Sequence, residues 1–147
     1  MYQKILVATD GSKLSKKATD SAIELASLCG ADLVALKVVP RYPQSYFEGG
    51  IAIAQEDVKR VEDHWATEAQ AIVDAVKKAA LLKGVTTKAI TVKSDVISEA
   101  VLAAARKHKC GLIVMASHGR KGIKRLLLGS ETQQVLTHAE IPVLILK

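Results

Sequence analysis

Leu112-Ile113-Val114-Met115-Ala116-Ser117-His118-Gly119 is an apolar run that breaks into a polar turn and a glycine. The same design occurs near the start of the chain, as Ile5-Leu6-Val7-Ala8-Thr9-Asp10-Gly11. Each run is short, continuous and aliphatic, which reads as a strand covered on both faces. Between and after these two runs the apolar period alternates. A helix is expected from about Lys13 to Leu28, with Ser12 as the better-placed N-cap and Gly30 as its C′ residue. A strand from Asp32 to Val39 closes at Pro40, and a long amphipathic helix from about Ile53 to Leu82 stops at Gly84. A strand from Thr87 to Val92 leads to a helix from Val96 to His108, with Asp95 as the expected N-cap. After Leu112 to Ala116 come a short helix, Glu131 to His138, and a last strand, Pro142 to Leu146.

Strand and helix thus alternate through the whole chain. That order implies one α/β domain over residues 1–147: a three-layer, doubly wound, five-stranded parallel sheet with right-handed crossovers and helices on both faces. Aromatic residues make up only 3%, so the core must be built from Val, Ile, Leu and Ala, which suits such a sheet. The stretch from Arg41 to Gly50 carries no regular period and reads as a loop.

Composition narrows the functional classes. No apolar run approaches the roughly 18 residues of a membrane span, and no signal-peptide pattern precedes the first strand. Cys29 and Cys110 each precede a glycine at an expected helix end, outside any C-x-x-C motif, so a reduced cytoplasm is the expected compartment. The net charge of +6 admits a nucleic-acid surface or a local anion site with solvated helix faces. The scarcity of aromatic stacking platforms and the scatter of the basic residues favour the second. No nucleic-acid and no membrane partner is expected.

The basic residues do concentrate in one place, between Gly119 and Ser130. Arg120, Lys121, Lys124 and Arg125 lie there with Gly119, Gly122 and Gly129. Glycine lets backbone N–H groups approach a phosphate, and a helix start offers unpaired N–H groups and partial positive charge. Ser130 with Gln133 fits a capping box, which marks that start independently. The layout is neither a Walker loop nor G-x-G-x-x-G. The bland reading of Gly119, Gly129 and Ser130 is a loop glycine, a helix-entry glycine and an ordinary N-cap. The four histidines, His64, His108, His118 and His138, share no metal-ligand spacing, and no Ser-His-Asp set is evident.

Ala116, Gly119, Gly129 and Ser130 resemble the G-x2-G-x9-G-[ST] motif of the universal stress protein family, with alanine at the first glycine. Lys4-Ile5-Leu6-Val7-Ala8-Thr9-Asp10-Gly11-Ser12 and Ile141-Pro142-Val143-Leu144-Ile145 extend the resemblance over nearly the whole chain. It implies strand order 3-2-1-4-5, which sets the first and fourth strands side by side at the switch point where such sheets bind ligands. It also implies adenine-nucleotide binding there: ATP, with or without Mg²⁺.

Carried onto this chain, Gly119, Gly129 and Ser130 would hold the phosphates, helped by backbone N–H groups of Glu131 and Thr132. His118 and Arg120 would lie beside them. Ala8 and Thr9 would line the crevice, and Asp10 would sit at the ribose or at a metal held through the nucleotide. Val38 and Val39 would meet the adenine. Ala116 is harmless on extended backbone and costs about 1 kcal/mol or more on a left-handed one. Ser94 and Val96 replace a glycine and a proline of the family pattern. The resemblance further implies a homodimer through Pro142 to Leu146 and a regulatory role in stress, with protein partners undefined. Two alternatives stay open: a slow ATP hydrolase, for which only Asp10 or His118 offers a base, and a dimeric interaction module of the same fold without nucleotide.

Overall fold

The two echoed runs are neighbouring strands. In the computed structural model, which describes residues 1–43, 55–119 and 128–147, they form β1 (Lys4–Ala8) and β4 (Leu112–Ala116). They pair in parallel, with Ile5, Leu6 and Val7 opposite Leu112, Ile113 and Val114. The other strands are β2 (Asp32–Val39), β3 (Thr87–Lys93) and β5 (Val143–Leu146), and the sheet order is β3-β2-β1-β4-β5. Every pairing is parallel. The helices are α1 (Lys13–Cys29), α2 (Gln55–Leu82), α3 (Ile97–Lys107) and α4 (Ser130–His138).

Strand alternation divides the core into two layers. Ile5, Val7, Leu33, Ala35, Leu112, Val114 and Ala116 pack beneath α1 and α2, against Ala22, Ala26, Val73 and Val76. Leu6, Val34, Leu36, Val38, Ile113 and Met115 face α3 and α4, against Val101, Ala104 and Val135. Ile5, Leu6, Leu36 and Ile113 are completely buried. Truncating any one of them to alanine is expected to cost about 2–5 kcal/mol. Among the described residues no helix is long and apolar enough to cross a membrane.

Helix ends follow local chemistry where a local partner suffices. Ser12 caps α1 by accepting the Ser15 N–H, and Gly30 closes it at φ 67°. The stripe Ala69, Val73, Val76 and Ala80 buries one face of α2, and Gly84 ends its last turn at φ 72°. The residues before Gln55 in the expected second helix, and residues 44–50 of the expected loop, lie outside the described residues.

Two caps differ from expectation. Asp95 does not cap α3. Val96 holds the N-cap position without a side-chain bond, while the Asp95 carboxylate accepts the Arg41 N–H at 3.3 Å. Nor does Ser130 form a capping box. Gly129 is the N-cap, Ser130 is the first helical residue, and the Gln133 amide donates to the Leu128 carbonyl instead. In both cases contacts from elsewhere in the fold reset the helix start by one residue. β3 runs one residue further than expected, to Lys93, and β5 starts one residue later, at Val143. Pro142 has no N–H for the ladder, yet its carbonyl still accepts the Ile113 N–H at 3.0 Å.

Candidate functional site

The crevice beyond β1 and β4 is made by two turns. The first leaves β1. Asp10 Oδ1 accepts the Ser12 N–H at 2.9 Å, and Gly11 takes φ 80° to let the chain reverse into α1. Beneath it runs a chain of hydroxyls. The Thr9 hydroxyl accepts the Gly11 N–H at 3.2 Å and donates to Ser15 Oγ at 3.0 Å, and Ser15 Oγ donates to the Ser12 carbonyl at 2.9 Å. Thr9 and Ser15 are buried, so these bonds fix the turn rigidly. The Thr9 side chain belongs to this scaffold, and its N–H donates to the Leu36 carbonyl at 2.9 Å.

The second turn leaves β4. Ala116 is the last strand residue, and its methyl packs in the α1 and α2 layer at 8% exposure. Among described non-glycine residues only Lys109 has positive φ, so Ala116 carries no left-handed strain. Ser117 continues the ladder by donating its N–H to the Leu146 carbonyl at 2.8 Å. Its own carbonyl accepts the Gly129 N–H at 2.7 Å, which joins the two described ends of the glycine loop. Ser117 Oγ and His118 Nδ1 lie 3.1 Å apart. The buried Thr132 hydroxyl donates to the Ala116 carbonyl at 3.0 Å, locking α4 onto the end of β4.

Both motif glycines sit where a side chain would be crowded. A Cβ on Gly119 would stand 2.9 Å from Asp10 Oδ2. A Cβ on Gly129 would stand 3.3 Å from His118 Cα and 3.4 Å from the Ser117 carbonyl oxygen. The turn Ser117-His118-Gly119 is therefore held between Asp10 on one side and Gly129 on the other.

The helix start that faces this turn suits an anion. Gly129 has no side chain to offer as a cap, and the N–H groups of Ser130, Glu131 and Thr132 have no acceptor within their own helix. They form the positive end of α4. The carboxylate that would compete for them is turned away: Glu131 Oε2 accepts the Ser98 N–H at 2.8 Å, in the first turn of α3. That contact supplies the cap that Asp95 was expected to give. The Gly129 N–H, by contrast, is already engaged by the Ser117 carbonyl, so what this glycine offers the turn is its lack of bulk.

Val38 and Val39 end β2 at 6% and 4% exposure. The Val38 carbonyl accepts from Lys37 Nζ at 2.9 Å and the Val39 carbonyl from the Ser94 N–H at 3.0 Å. Ala8, Thr9, Asp10, Ala116, His118, Gly119, Gly129, Ser130, Glu131 and Thr132 come from the β1 turn, the end of β4 and the start of α4. Arg120 lies outside the described residues, with Lys121, Lys124 and Arg125.

The sequence matches the profile of the Universal stress protein family over residues 1–147. The chain belongs to the universal stress protein family. It is 33% identical to the universal stress protein MJ0531 of Methanocaldococcus jannaschii, over all of this chain and 83% of that one. It is 32% identical to the universal stress protein YxiE of Bacillus subtilis, over the full length of both. Among solved structures it superposes with TM-score 0.83 on MJ0577 of the same archaeon, at 26% identity, over 100% of this chain and 96% of the other. A universal stress protein solved in complex with cAMP matches with TM-score 0.73 at 29% identity, over 99% and 97% of the two chains.

Within this universal stress protein fold, three features escaped sequence reasoning. The Gly129 bond to the Ser117 carbonyl and the Glu131 cap of α3 depend on how elements distant in sequence pack, and the Ser117–His118 pair on how the turn directs two side chains. Glu131 alone carried a signal, since an acidic side chain in a first helical turn seeks a free N–H, but no local pattern tells that the N–H belongs to another helix.

Proposed function

We propose that this universal stress protein binds an adenine nucleotide, ATP with or without Mg²⁺, at the β1/β4 switch point, and that occupancy regulates partner binding during stress. The observation that carries the reading is the start of α4: three N–H groups without helical acceptors, behind a glycine N-cap, beside a turn that Gly119 keeps free of side chain. These groups suit the phosphates. Asp10 would attend the ribose or a metal held through the nucleotide, and Val38 and Val39 would flank the adenine. A bound Mg²⁺ would supply charge neutralisation of the phosphates, and Asp10 is the side chain at the crevice with the chemistry to orient it. The cAMP complex of a relative supports the adenine class.

The same reading takes the protein as a cytoplasmic homodimer joined through β5. Leu144 on this edge strand is 40% exposed, as a face awaiting a second copy would be. Thermal unfolding with ATP, AMP and GTP tests ligand class. A ligand at about 100 times its Kd stabilises by about 2.7 kcal/mol, so saturating ATP should raise Tm by several degrees and GTP should not. Equal shifts with ATP and GTP would refute adenine selectivity.

A further inference from the structure

The end of the sheet opposite the crevice carries an unusual surface. Leu28 lies in the last turn of α1, and Leu81 and Leu82 end α2; they are 82, 72 and 86% exposed. The Ser27 hydroxyl donates to the Lys83 carbonyl at 3.3 Å, which brings these two helix ends together. Exposed Lys77 and Lys78 stand one turn before Leu81 and Leu82, on the same helical faces. Lys83 follows directly.

The strand starts at this end add more positive charge. Lys4 opens β1, Lys88 lies at the start of β3, Lys107 ends α3, and Lys109 follows its C-cap. The half-buried His108 sits among them: burial, then the charges of Lys88, Lys107 and Lys4, push its imidazole pKa below the usual value. The exposed carboxylates at this end, Asp32, Glu140 and, one turn before Leu28, Glu24, are fewer than the seven lysines. Lys107 suits a helix C-terminus through the helix dipole. The dipole gives no reason for Lys4 and Lys88, which are on strands, nor for three solvated leucines.

We propose that this face, formed by Leu28, Leu81 and Leu82 within a ring of lysines, docks the protein peripherally on an anionic lipid surface. The leucines would enter the headgroup boundary while the lysines, long and flexible, reach the phosphates with their ammonium groups. Exposed leucines distinguish this surface from a nucleic-acid site, which would present aromatic platforms or a polar groove. The face lies at the opposite end of the sheet from the crevice, so lipid binding is independent of the nucleotide reading.

The test is co-sedimentation of the full chain with vesicles of phosphatidylglycerol and phosphatidylcholine, against pure phosphatidylcholine vesicles. We expect binding to the anionic vesicles alone, weakened by salt. Lys83→Glu/Lys88→Glu should lower the partition coefficient at least about 25-fold, from about fivefold for each lysine removed. Leu81→Ser/Leu82→Ser should lower it about tenfold or more. Both variants change exposed side chains, and each is read after its melting curve matches wild type; the lysine pair disturbs no packing and keeps the test open if the leucine pair misfolds. Wild type that fails to bind anionic vesicles overturns the proposal. So does vesicle binding that neither variant lowers. Binding of a single-stranded RNA through the same lysines, unaffected by the leucine variant and without vesicle binding, would assign the face to nucleic acid instead.

Discussion

Gly129 donates its N–H to the Ser117 carbonyl at 2.7 Å, and this bond sets the start of α4 directly against the turn that leaves β4. The strand end and the helix start become one rigid unit, reinforced by the buried Thr132 hydroxyl on the Ala116 carbonyl. The proposed phosphate site therefore rests on core geometry, whatever the charged stretch between the two anchors does.

The fit at Gly129 makes a sharp prediction. Gly129→Ala places a Cβ 3.3 Å from His118 Cα, so the turn or the helix must shift by a few tenths of an ångström. Overpacking of this kind costs about 1–3 kcal/mol. We expect a folded protein with ATP affinity reduced about tenfold or more. Equilibrium dialysis of radiolabelled ATP measures it, and unchanged affinity in the folded variant would place the phosphate site elsewhere.

Ala116→Gly separates the motif from the geometry. The methyl lies in the core and not on strained backbone. Restoring the family's glycine should leave ATP affinity within about twofold. It should also destabilise the fold by about 1–2 kcal/mol, through the lost buried methyl and the added backbone freedom. Urea unfolding and a binding titration on the same sample decide the matter. A tenfold gain in affinity would show that the methyl obstructs the ligand.

Much of the fold was legible in the sequence because its strands are buried on both faces. Ile5 to Val7 and Leu112 to Ala116 had to be continuous and aliphatic, and β2 kept the expected bounds, Asp32 to Val39. Of the candidate site, Gly119 and Gly129 marked in advance the two positions where the turn and the helix start pack closely. The N-caps of α3 and α4 were not legible, because Asp95 and Ser130 have the right chemistry at the right spacing but are outcompeted by partners distant in sequence. Arg41 engages Asp95, and the bond between Gly129 and Ser117 moves the start of α4 one residue earlier than the capping box requires. Which carbonyl or carboxylate wins depends on packing, and a local pattern does not encode it.

Glu131 should matter more for stability than its partial exposure suggests. It holds the first turn of α3 from the first turn of α4. Glu131→Ala is expected to cost about 0.5–2 kcal/mol, the usual range for a lost N-cap. Glu131→Gln, which keeps an acceptor oxygen, should retain much of that. Chemical denaturation of the two variants compares them; equal losses would mean that charge, not the hydrogen bond, carries the effect.

The two thiols should differ in reactivity. Burial pushes the Cys110 pKa up to about 11, with Lys4 opposing, so this group stays a protonated thiol at physiological pH. Cys29 is partly exposed. A thiol-disulfide reagent at neutral pH should titrate Cys29 in the native protein, and Cys110 only after unfolding. Rapid native labelling of Cys110 would contradict the packing between α3 and β4.

The central claim is tested most directly by calorimetric titration of ATP into nucleotide-free protein, with and without Mg²⁺, beside the same titration of Gly129→Ala. The account predicts saturable binding of one ATP per chain, weakened in the variant. Absence of binding at millimolar ATP by the folded wild-type protein would contradict it, and would leave the fold as an interaction module without a nucleotide.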